Sequence, residues 1–425
     1  MYPVRYIHAA DLHLDAAFKG LARESGTQSS ELADLLQQAT FTAMKRLFSL
    51  CEKERPDFLV IAGDIYNQED RSLRAQLRLR DACEALAPFG VQVFLAHGNH
   101  DPLSSRLNTL HWPDNVTVFG NSPEAWPVQR EGETLALVHG ISHESAKENR
   151  NLARSFSRTP LPCFQLGVLH CTLEGSKAER YAPCTLDDLR ATGLDAWALG
   201  HVHERGIFSE QDPFVLYSGN SQGLHIGEDG ERGCMLVQAQ PSGQGFRCSA
   251  SFRPLAPVLW ETRDISLDGF KNMDELDTRL QNAFDKLAAE APVNCQAILT
   301  RLRLSGRSTL DSVLRNPHDL ADLAERLKEH NSLPPVWLKD FDVQTRPEFE
   351  SDKVRERDDL LGEVLRLGHR ASASPQAVRE LAEPALQSLF ASAKIRKLLP
   401  PLSDEDYLTL LADAERLSVD LLEPK

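Results

Sequence analysis

Short apolar runs alternate with amphipathic segments along the first 255 residues of the chain. These runs are bounded by glycine, proline or aspartate, a pattern that predicts buried strands. They cover residues 4–7, 58–62, 91–96, 135–138, 166–169, 196–199 and 215–217. Between them, residues 30–54 and 71–87 place their apolar side chains on one helical stripe. Strands that alternate with helices predict an α/β domain over residues 1–255.

The pattern changes after Pro254 and Pro257. Strand-like segments at 259–267, 297–304 and 336–343 enclose helical segments at 274–289 and 319–330. This order predicts a small α+β domain over residues 256–345. From Arg346 onward the pattern is helical, with a break at Pro400-Pro401 and a helix start at Ser403. We therefore expect a helical C-terminal region over residues 346–425.

Composition narrows the class of protein. A chain of 425 residues exceeds what one hydrophobic core usually supports, so several domains are expected. The net charge of -15 argues against binding to nucleic acid by bulk attraction alone, and a DNA substrate would require basic patches, bound cations or a partner.

Eight cysteines without a CxxC pair predict reduced thiols. The sequence shows neither an apolar leader nor a run of about 18 apolar residues, which predicts a cytoplasmic protein without membrane contact.

Polar motifs follow five of the predicted strands, and the histidines are concentrated in the same part of the chain. The carboxyl ends of strands in an α/β sheet meet at one edge, where ligands bind. We therefore expect residues that are distant in sequence to share a single site. The motifs are Asp11-Leu12-His13, Gly63-Asp64-Ile65-Tyr66-Asn67, Gly98-Asn99-His100-Asp101, His170 and Gly200-His201-Val202-His203.

The residue types in these motifs are typical of a metal site. Carboxylate, amide oxygen and imidazole nitrogen are ligands suited to Mn, Fe and Zn, and no motif contains cysteine. Two divalent ions roughly 3.5 to 4 Å apart can stabilise both the attacking and the leaving oxygen of a phosphoryl displacement. One carboxylate must bridge such ions, and Asp64, on the turn that Gly63 permits, is the best candidate. Each motif alone also fits a structural role, but five in order favour the metal site.

The ordered set of motifs resembles the calcineurin-like metallophosphoesterases, whose signature is DxH, GDxx(D/N), GNH(D/E), a lone His and GHxH. That resemblance implies a layered α/β/β/α sandwich for the α/β domain. The phrases YIHAADLHLD, LVIAGDIY, FLAHGNHD, ALGHVH and YSGNSQG are similar to the SbcD-type branch of DNA repair exonucleases, and most similar to its YhaO-type members. The similarity extends over residues 4 to about 255, and beyond it only the general plan of a capping domain followed by helices matches.

Carried over position by position, the resemblance implies two overlapping sets of ligands. His100 matches the family histidine that protonates the leaving oxygen or stabilises the transition state, and Asp101 is expected to orient it. One metal would be held by Asp11, His13, Asp64 and His203, and the other by Asp64, Asn99, His170 and His201.

The resemblance also implies an activity and partners. It implies manganese-dependent exonuclease cleavage of DNA with an SbcC-like coiled-coil ATPase that docks on the C-terminal helices, and it leaves a homodimer open. Two rivals remain: a phosphodiesterase for nucleotides or cyclic nucleotides, and a weakly catalytic DNA-binding scaffold for the ATPase. The chain departs from the branch at two positions. Many members have a histidine where this chain has Asn67, and a basic residue often precedes the histidine that corresponds to His225, where this chain has Leu224.

Other polar side chains have two interpretations each. His139, His143 and His225 could act in the outer shell or on the substrate, although structural roles are the default. His8 and His97 lie within or directly after predicted strands, which favours packing or structural hydrogen bonds. A basic cluster after the second motif could meet phosphates or form a solvated helix face. It consists of Arg71, Arg74, Arg78 and Arg80.

Overall fold

A computed structural model describes residues 1–20, 30–67, 72–105, 110–175, 180–243, 245–348, 351–391 and 402–422. The chain forms two compact units. The first comprises residues 1–306 and 313–344, and the second comprises residues 307–312 and 345–425. Among the described helices, none is long and apolar enough to cross a lipid bilayer.

Two six-stranded sheets form the centre of the first unit. The first sheet contains β1 (Val4–Ala9), β2 (Phe58–Ala62), β3 (Gln92–Ala96), β4 (Val116–Val118), β11 (Gly233–Ser242) and β12 (Gly245–Pro254) in the order β12-β11-β1-β2-β3-β4. The second contains β5 (Glu124–Arg130), β6 (Glu133–Gly140), β7 (Phe164–His170), β8 (Ala196–Gly200), β9 (Gly206–Ser209) and β10 (Phe214–Tyr217) in the order β5-β6-β7-β8-β10-β9. Strands β1 to β4 are parallel to one another, and so are β6, β7, β8 and β10. Their carboxyl ends therefore point the same way within each sheet.

The two sheets pack face to face through fully buried aromatic side chains. Tyr6 stacks on Phe58 at 5.0 Å between ring centroids and lies 6.0 Å from Phe164 of the second sheet. Helices α1 (Ser30–Glu54) and α2 (Leu73–Glu84) cover the outer face of the first sheet, and α3 (Leu186–Ala191) covers that of the second. The predicted α/β/β/α sandwich is confirmed.

A smaller sheet follows the sandwich. It contains β13 (Val258–Ser266), β14 (Ala297–Ser305) and β15 (Val336–Val343), and the connecting helices are α4 (Met273–Glu290), α5 (Asp311–Leu314) and α6 (Pro317–Lys328). The three strands are parallel, which the spacing of the predicted elements did not establish. We call β13 to β15 with α4 and α6 the cap. Its Trp260 is fully buried and packs with Leu32 and Leu36 of α1.

The second unit is helical, as the sequence predicted for the tail. It contains α7 (Ser351–Arg355), α8 (Leu360–Ala371), α9 (Pro375–Ala391) and α10 (Asp404–Leu422). Its small core consists of Val354, Leu361, Leu365 and Val419, and Arg307 forms an ion pair with Asp420. The expected break at Pro400-Pro401 lies outside the described residues.

Candidate metal centre

The five motifs meet at the carboxyl ends of β1, β2, β3, β7 and β8. The loops after β1 and β2 run side by side, because the backbone N–H of Asp11 donates to the carbonyl of Gly63 at 3.0 Å and that of His13 donates to the carbonyl of Asp64 at 3.1 Å. These bonds fix the first two motifs relative to each other before any ligand binds.

Four of the predicted ligands have a left-handed backbone conformation, which residues other than glycine rarely adopt. The φ angles are 50° at Asp11, 41° at His13, 48° at Asp64 and 97° at His201. Such residues cost on the order of 1–3 kcal/mol each and persist only where the surrounding structure fixes them. Their concentration at one sheet edge indicates that the fold holds these side chains in place at the expense of local backbone strain.

The first candidate triad is Asp11, His13 and His203, whose nearest ligand atoms all lie within 4.8 Å of one another. The Nε2 atoms of His13 and His203 face each other at 3.2 Å. Each ring directs its Nδ1 at an oxygen acceptor, Asn67 Oδ1 at 2.8 Å for His13 and Glu228 Oε1 for His203. A hydrogen on each Nδ1 leaves two Nε2 lone pairs opposed, an arrangement that a bound cation would stabilise.

The second candidate triad is Asp64, His170 and His201, again with ligand atoms within 4.8 Å of one another. Nε2 of His170 lies 3.3 Å from Asp64 Oδ2 and 3.0 Å from Asn99 Oδ1. Its Nδ1 donates to the carbonyl oxygen of Ala62 at 2.9 Å, which directs Nε2 at the other ligands. All seven predicted ligands are therefore at one edge, and their oxygen and nitrogen donors suit divalent transition metals.

The motif glycines make room for His170. A Cβ on Gly63 would lie 2.3 Å from Nδ1 of His170, and a Cβ on Gly98 would lie 2.3 Å from Asp64 Oδ1 and 2.7 Å from Nε2 of His170. None of these three distances is sterically allowed. Glycine is required at these positions because the ligands occupy the space of the missing side chain.

Burial and mutual charge perturb the protonation of the centre. Burial raises the pKa of Asp11 to about 6 and lowers that of His13 to about 4. Burial also opposes a charge on His170, but the adjacent Asp64 carboxylate more than offsets it and raises the pKa of His170 to about 9. The pKa of Asp64 is held well below its usual range despite burial, chiefly by His170. Without metal, the second triad therefore holds a proton on His170.

His100 lies beside the first triad, whereas the side chain of Asp101 has other partners than the expected one. His100 is exposed, its ring is edge-on to that of His13 at 5.1 Å, and its backbone N–H donates to Asp64 Oδ1 at 2.8 Å. The expectation that Asp101 orients His100 is wrong. The buried Asp101 carboxylate accepts from the backbone N–H groups of Gly98 and Ile65 at 2.7 and 3.0 Å. Its Oδ2 also lies 3.2 Å from Nδ1 of His97. Asp101 thus ties the second and third motif loops together.

Two contacts that support the ligands were not predicted from the sequence. Glu228 contacts His203 from a loop 25 positions downstream, and no motif spacing indicates that contact. Asn67 ends the second motif and was also noted as a departure from the branch, but its contact with His13 as the hydrogen-bond acceptor was not predicted. His143 donates to the carbonyl of His170 at 2.6 Å, and its ring is edge-on to that of His170 at 5.3 Å, so it contacts a ligand through both backbone and side chain.

The remaining alternatives favour structural roles. His139 Nε2 lies 3.0 Å from Gln165 Oε1 within the core of the second sheet. In the basic cluster, Arg74 pairs with Asp15 and Arg78 lies 4.5 Å from the ring centroid of Phe41. Arg80 pairs with Asp81. Arg71 lies outside the described residues. The described part of the cluster is therefore a paired and packed helix face.

Comparison with known proteins gives matches over both parts of the first unit. Residues 4–205 match the family described as calcineurin-like phosphoesterase, and residues 260–346 match the family described as the middle domain of metallophosphoesterase YhaO. The uncharacterised metallophosphoesterase YhaO of Bacillus subtilis strain 168 is 33% identical over 348 residues, which cover 81% of this chain and 82% of that protein.

More distant relatives cover less of the chain. The DNA double-strand break repair protein Mre11 of Aeropyrum pernix is 32% identical over 239 residues, which cover 53% of this chain and 55% of that protein. A subunit of the nuclease SbcCD from Staphylococcus epidermidis is 24% identical over 242 residues, which cover 51% of this chain and 61% of that protein.

Proposed function

The chain belongs to the calcineurin-like phosphoesterase family and is a metal-dependent hydrolase, and on this basis we propose that its substrate is the phosphodiester backbone of DNA. The observation that carries the proposal is the pair of triads at one sheet edge, each with ligand atoms within 4.8 Å. A two-metal arrangement suits in-line displacement at a phosphodiester. The names of the distant relatives, a DNA break repair protein and a component of a nuclease, favour DNA over small phosphoesters.

Each site residue has a proposed role. One metal would be held by Asp11, His13, Asp64 and His203, and the other by Asp64, Asn99, His170 and His201. When bound, the two cations would lower the pKa of a water nucleophile and neutralise charge on the phosphoryl oxygens. His100, exposed beside His13, would donate a proton to the leaving oxygen. Asp101 would act through the backbone of the Gly98 loop, to which it is hydrogen-bonded.

We extend the proposal to the setting of the reaction. Manganese is the proposed metal, and exonuclease cleavage in DNA repair with an SbcC-like coiled-coil ATPase is the proposed context. Residues 1–255 would form the nuclease domain, residues 256–345 the capping domain, and residues 346–425 the partner-docking region. Support comes from the relatives named above and from the helical second unit.

The test is hydrolysis by the purified full chain. With Mn²⁺ the protein is expected to digest linear DNA to mononucleotides, and a chelator should abolish the reaction. Hydrolysis of bis-p-nitrophenyl phosphate without digestion of DNA would support the small-substrate rival instead. If the protein bound two Mn²⁺ ions and hydrolysed neither compound, the scaffold rival would replace the proposal.

A further inference from the structure

The loop of residues 219–230 contains an acidic side chain that contacts the metal centre. Glu228 is 5% exposed. Its Oε1 accepts a hydrogen bond from Nδ1 of His203, and its Oε2 accepts one from the backbone N–H of Leu224 at 2.6 Å. Nε2 of His225 also lies 3.3 Å from Oε1. One carboxylate oxygen therefore holds a proposed ligand and the other holds the loop's own backbone.

The same loop is hydrogen-bonded to strand β13 of the cap. The side-chain amide of Gln222 donates to the carbonyl of Val258 at 2.8 Å. Nε1 of Trp260 donates to the carbonyl of Gly223 at 3.0 Å, and the backbone N–H of Gly230 donates to the carbonyl of Trp260 at 2.9 Å. The loop is thus fixed to β13 on both sides of Glu228.

Gly223 shows how tightly the cap and the acidic side chain are packed. A Cβ on Gly223 would lie 3.2 Å from Cδ1 of Trp260, 3.3 Å from Cβ of Glu228 and 2.6 Å from the carbonyl oxygen of Glu228. The Trp260 ring and the Glu228 side chain are therefore separated by little more than the glycine backbone. Because close-packed interiors transmit displacements, a shift of Trp260 would move Glu228.

We propose that Glu228 is a positioning residue for His203. Through the loop of residues 219–230, the metal affinity of the first triad then depends on the position of β13. A carboxylate on the far nitrogen of a ligand histidine fixes the ring's orientation and tautomer. The second triad has other supports, since His170 is held by Ala62 and Asn99. The effect is therefore confined to one of the two metal sites. The inference rests on the metal binding in the proposed function but not on DNA as the substrate.

The test is calorimetric titration of the metal-free full chain with Mn²⁺. Glu228→Ala is expected to weaken one of the two binding events by roughly 10-fold to 100-fold and to leave the other unchanged. Glu228→Gln keeps an oxygen that can accept from His203, so its affinity should fall between wild type and Glu228→Ala. The matched control is Asp229→Asn, which changes the exposed neighbouring acid and should bind as wild type. Equal affinities in wild type and Glu228→Ala, or equal weakening at both sites, would overturn the proposal.

A second pair of variants tests the link to the cap. Trp260→Phe removes the Nε1–H donor to Gly223 and keeps an aromatic ring, so it should weaken the same binding event by less than Glu228→Ala does. Trp337→Phe, in the same apolar cluster of the cap, is the control and should leave both events unchanged. Wild-type affinity in Trp260→Phe would overturn the link. Two bound Mn²⁺ ions without DNA cleavage would instead overturn only the proposed substrate.

Discussion

His100 occupies the open side of the metal centre, and its side chain is free to meet a substrate while its backbone holds Asp64. His100→Ala keeps that backbone hydrogen bond. It should therefore bind two Mn²⁺ ions as wild type does, and it should lower kcat about 100-fold to 10,000-fold because a positioned proton donor is lost. Calorimetry and turnover of bis-p-nitrophenyl phosphate measure the two quantities. His318→Ala, in the cap, is the control.

Loss of metal binding in His100→Ala would contradict this assignment, because it would make His100 a ligand or a structural residue. Unchanged turnover would contradict it equally, since the leaving oxygen would then need no proton from this side chain.

Asn67 contacts His13, a proposed ligand of the first triad. Its Oδ1 accepts from Nδ1 of His13 at 2.8 Å, so it fixes the orientation of a proposed ligand. Asn67→Ala should weaken Mn²⁺ binding at the first triad by roughly 10-fold to 100-fold. Asn67→Asp retains an acceptor oxygen and should retain that affinity. If the alanine variant binds Mn²⁺ as tightly as wild type, the contact is incidental.

At the scale of elements, the turn after β3 brings Gly98 against both Asp64 and His170. Gly98→Ala should separate those side chains, weaken metal binding at the second triad and lower the free energy of unfolding by about 1–3 kcal/mol, as overpacking does. Denaturant unfolding and Mn²⁺ titration measure both effects. Gly245→Ala is the matched control, since a Cβ there meets no atom within 4 Å. Equal stability of the two variants would contradict this prediction, because it would show that the turn can accommodate a Cβ at position 98.

The sequence predicts the elements that carry the site because buried parallel strands are continuous apolar runs. Strands β2 and β3 and their motifs lie within a residue or two of the prediction. The edge strands β5 and β12 were not predicted, because neither is a continuous apolar run. In β12 the apolar residues alternate with polar ones and pack against the core between the sheets. Each is the edge strand of its sheet and forms a hairpin with its neighbour in sequence, β5 with β6 and β12 with β11.

The same distinction holds within the site. Asp11, Asp64 and His170 follow strands, so their meeting follows from the parallel order of the sheets. Glu228 reaches the centre through a loop whose path is set by hydrogen bonds to the cap, and no local pattern encodes such a path. The predicted partner of Asp101 was wrong for a related reason. Backbone N–H groups compete for a buried carboxylate, and no sequence pattern indicates which of them it will bind.

At the scale of the whole molecule, the net charge of -15 repels a polyanion. The described arginines of the α2 cluster do not relieve that repulsion, since Arg74 and Arg80 pair with acids of this chain. Two divalent cations at the sheet edge would place positive charge directly where a phosphodiester must lie. The acidic surface and the metal site are therefore compatible if the cations themselves supply the attraction.

The proton on His170 links metal content to the stability of the whole protein. In the metal-free state Asp64 raises the pKa of His170 to about 9, above the usual value of 6.5. A raised pKa in the folded state contributes stability that is fully present below pH 6.5 and is lost as the pH rises through 9. In chelator, the unfolding temperature should therefore fall between pH 6.5 and pH 9.5. With Mn²⁺ the fall should be smaller, because the metal replaces the proton and the affinity for the metal rises as the proton leaves.

The control is His170→Gln, which has no such proton and should lose this pH dependence in chelator. A metal-free wild type as stable at pH 9.5 as at pH 6.5 would show that the ion pair with Asp64 does not contribute to folding.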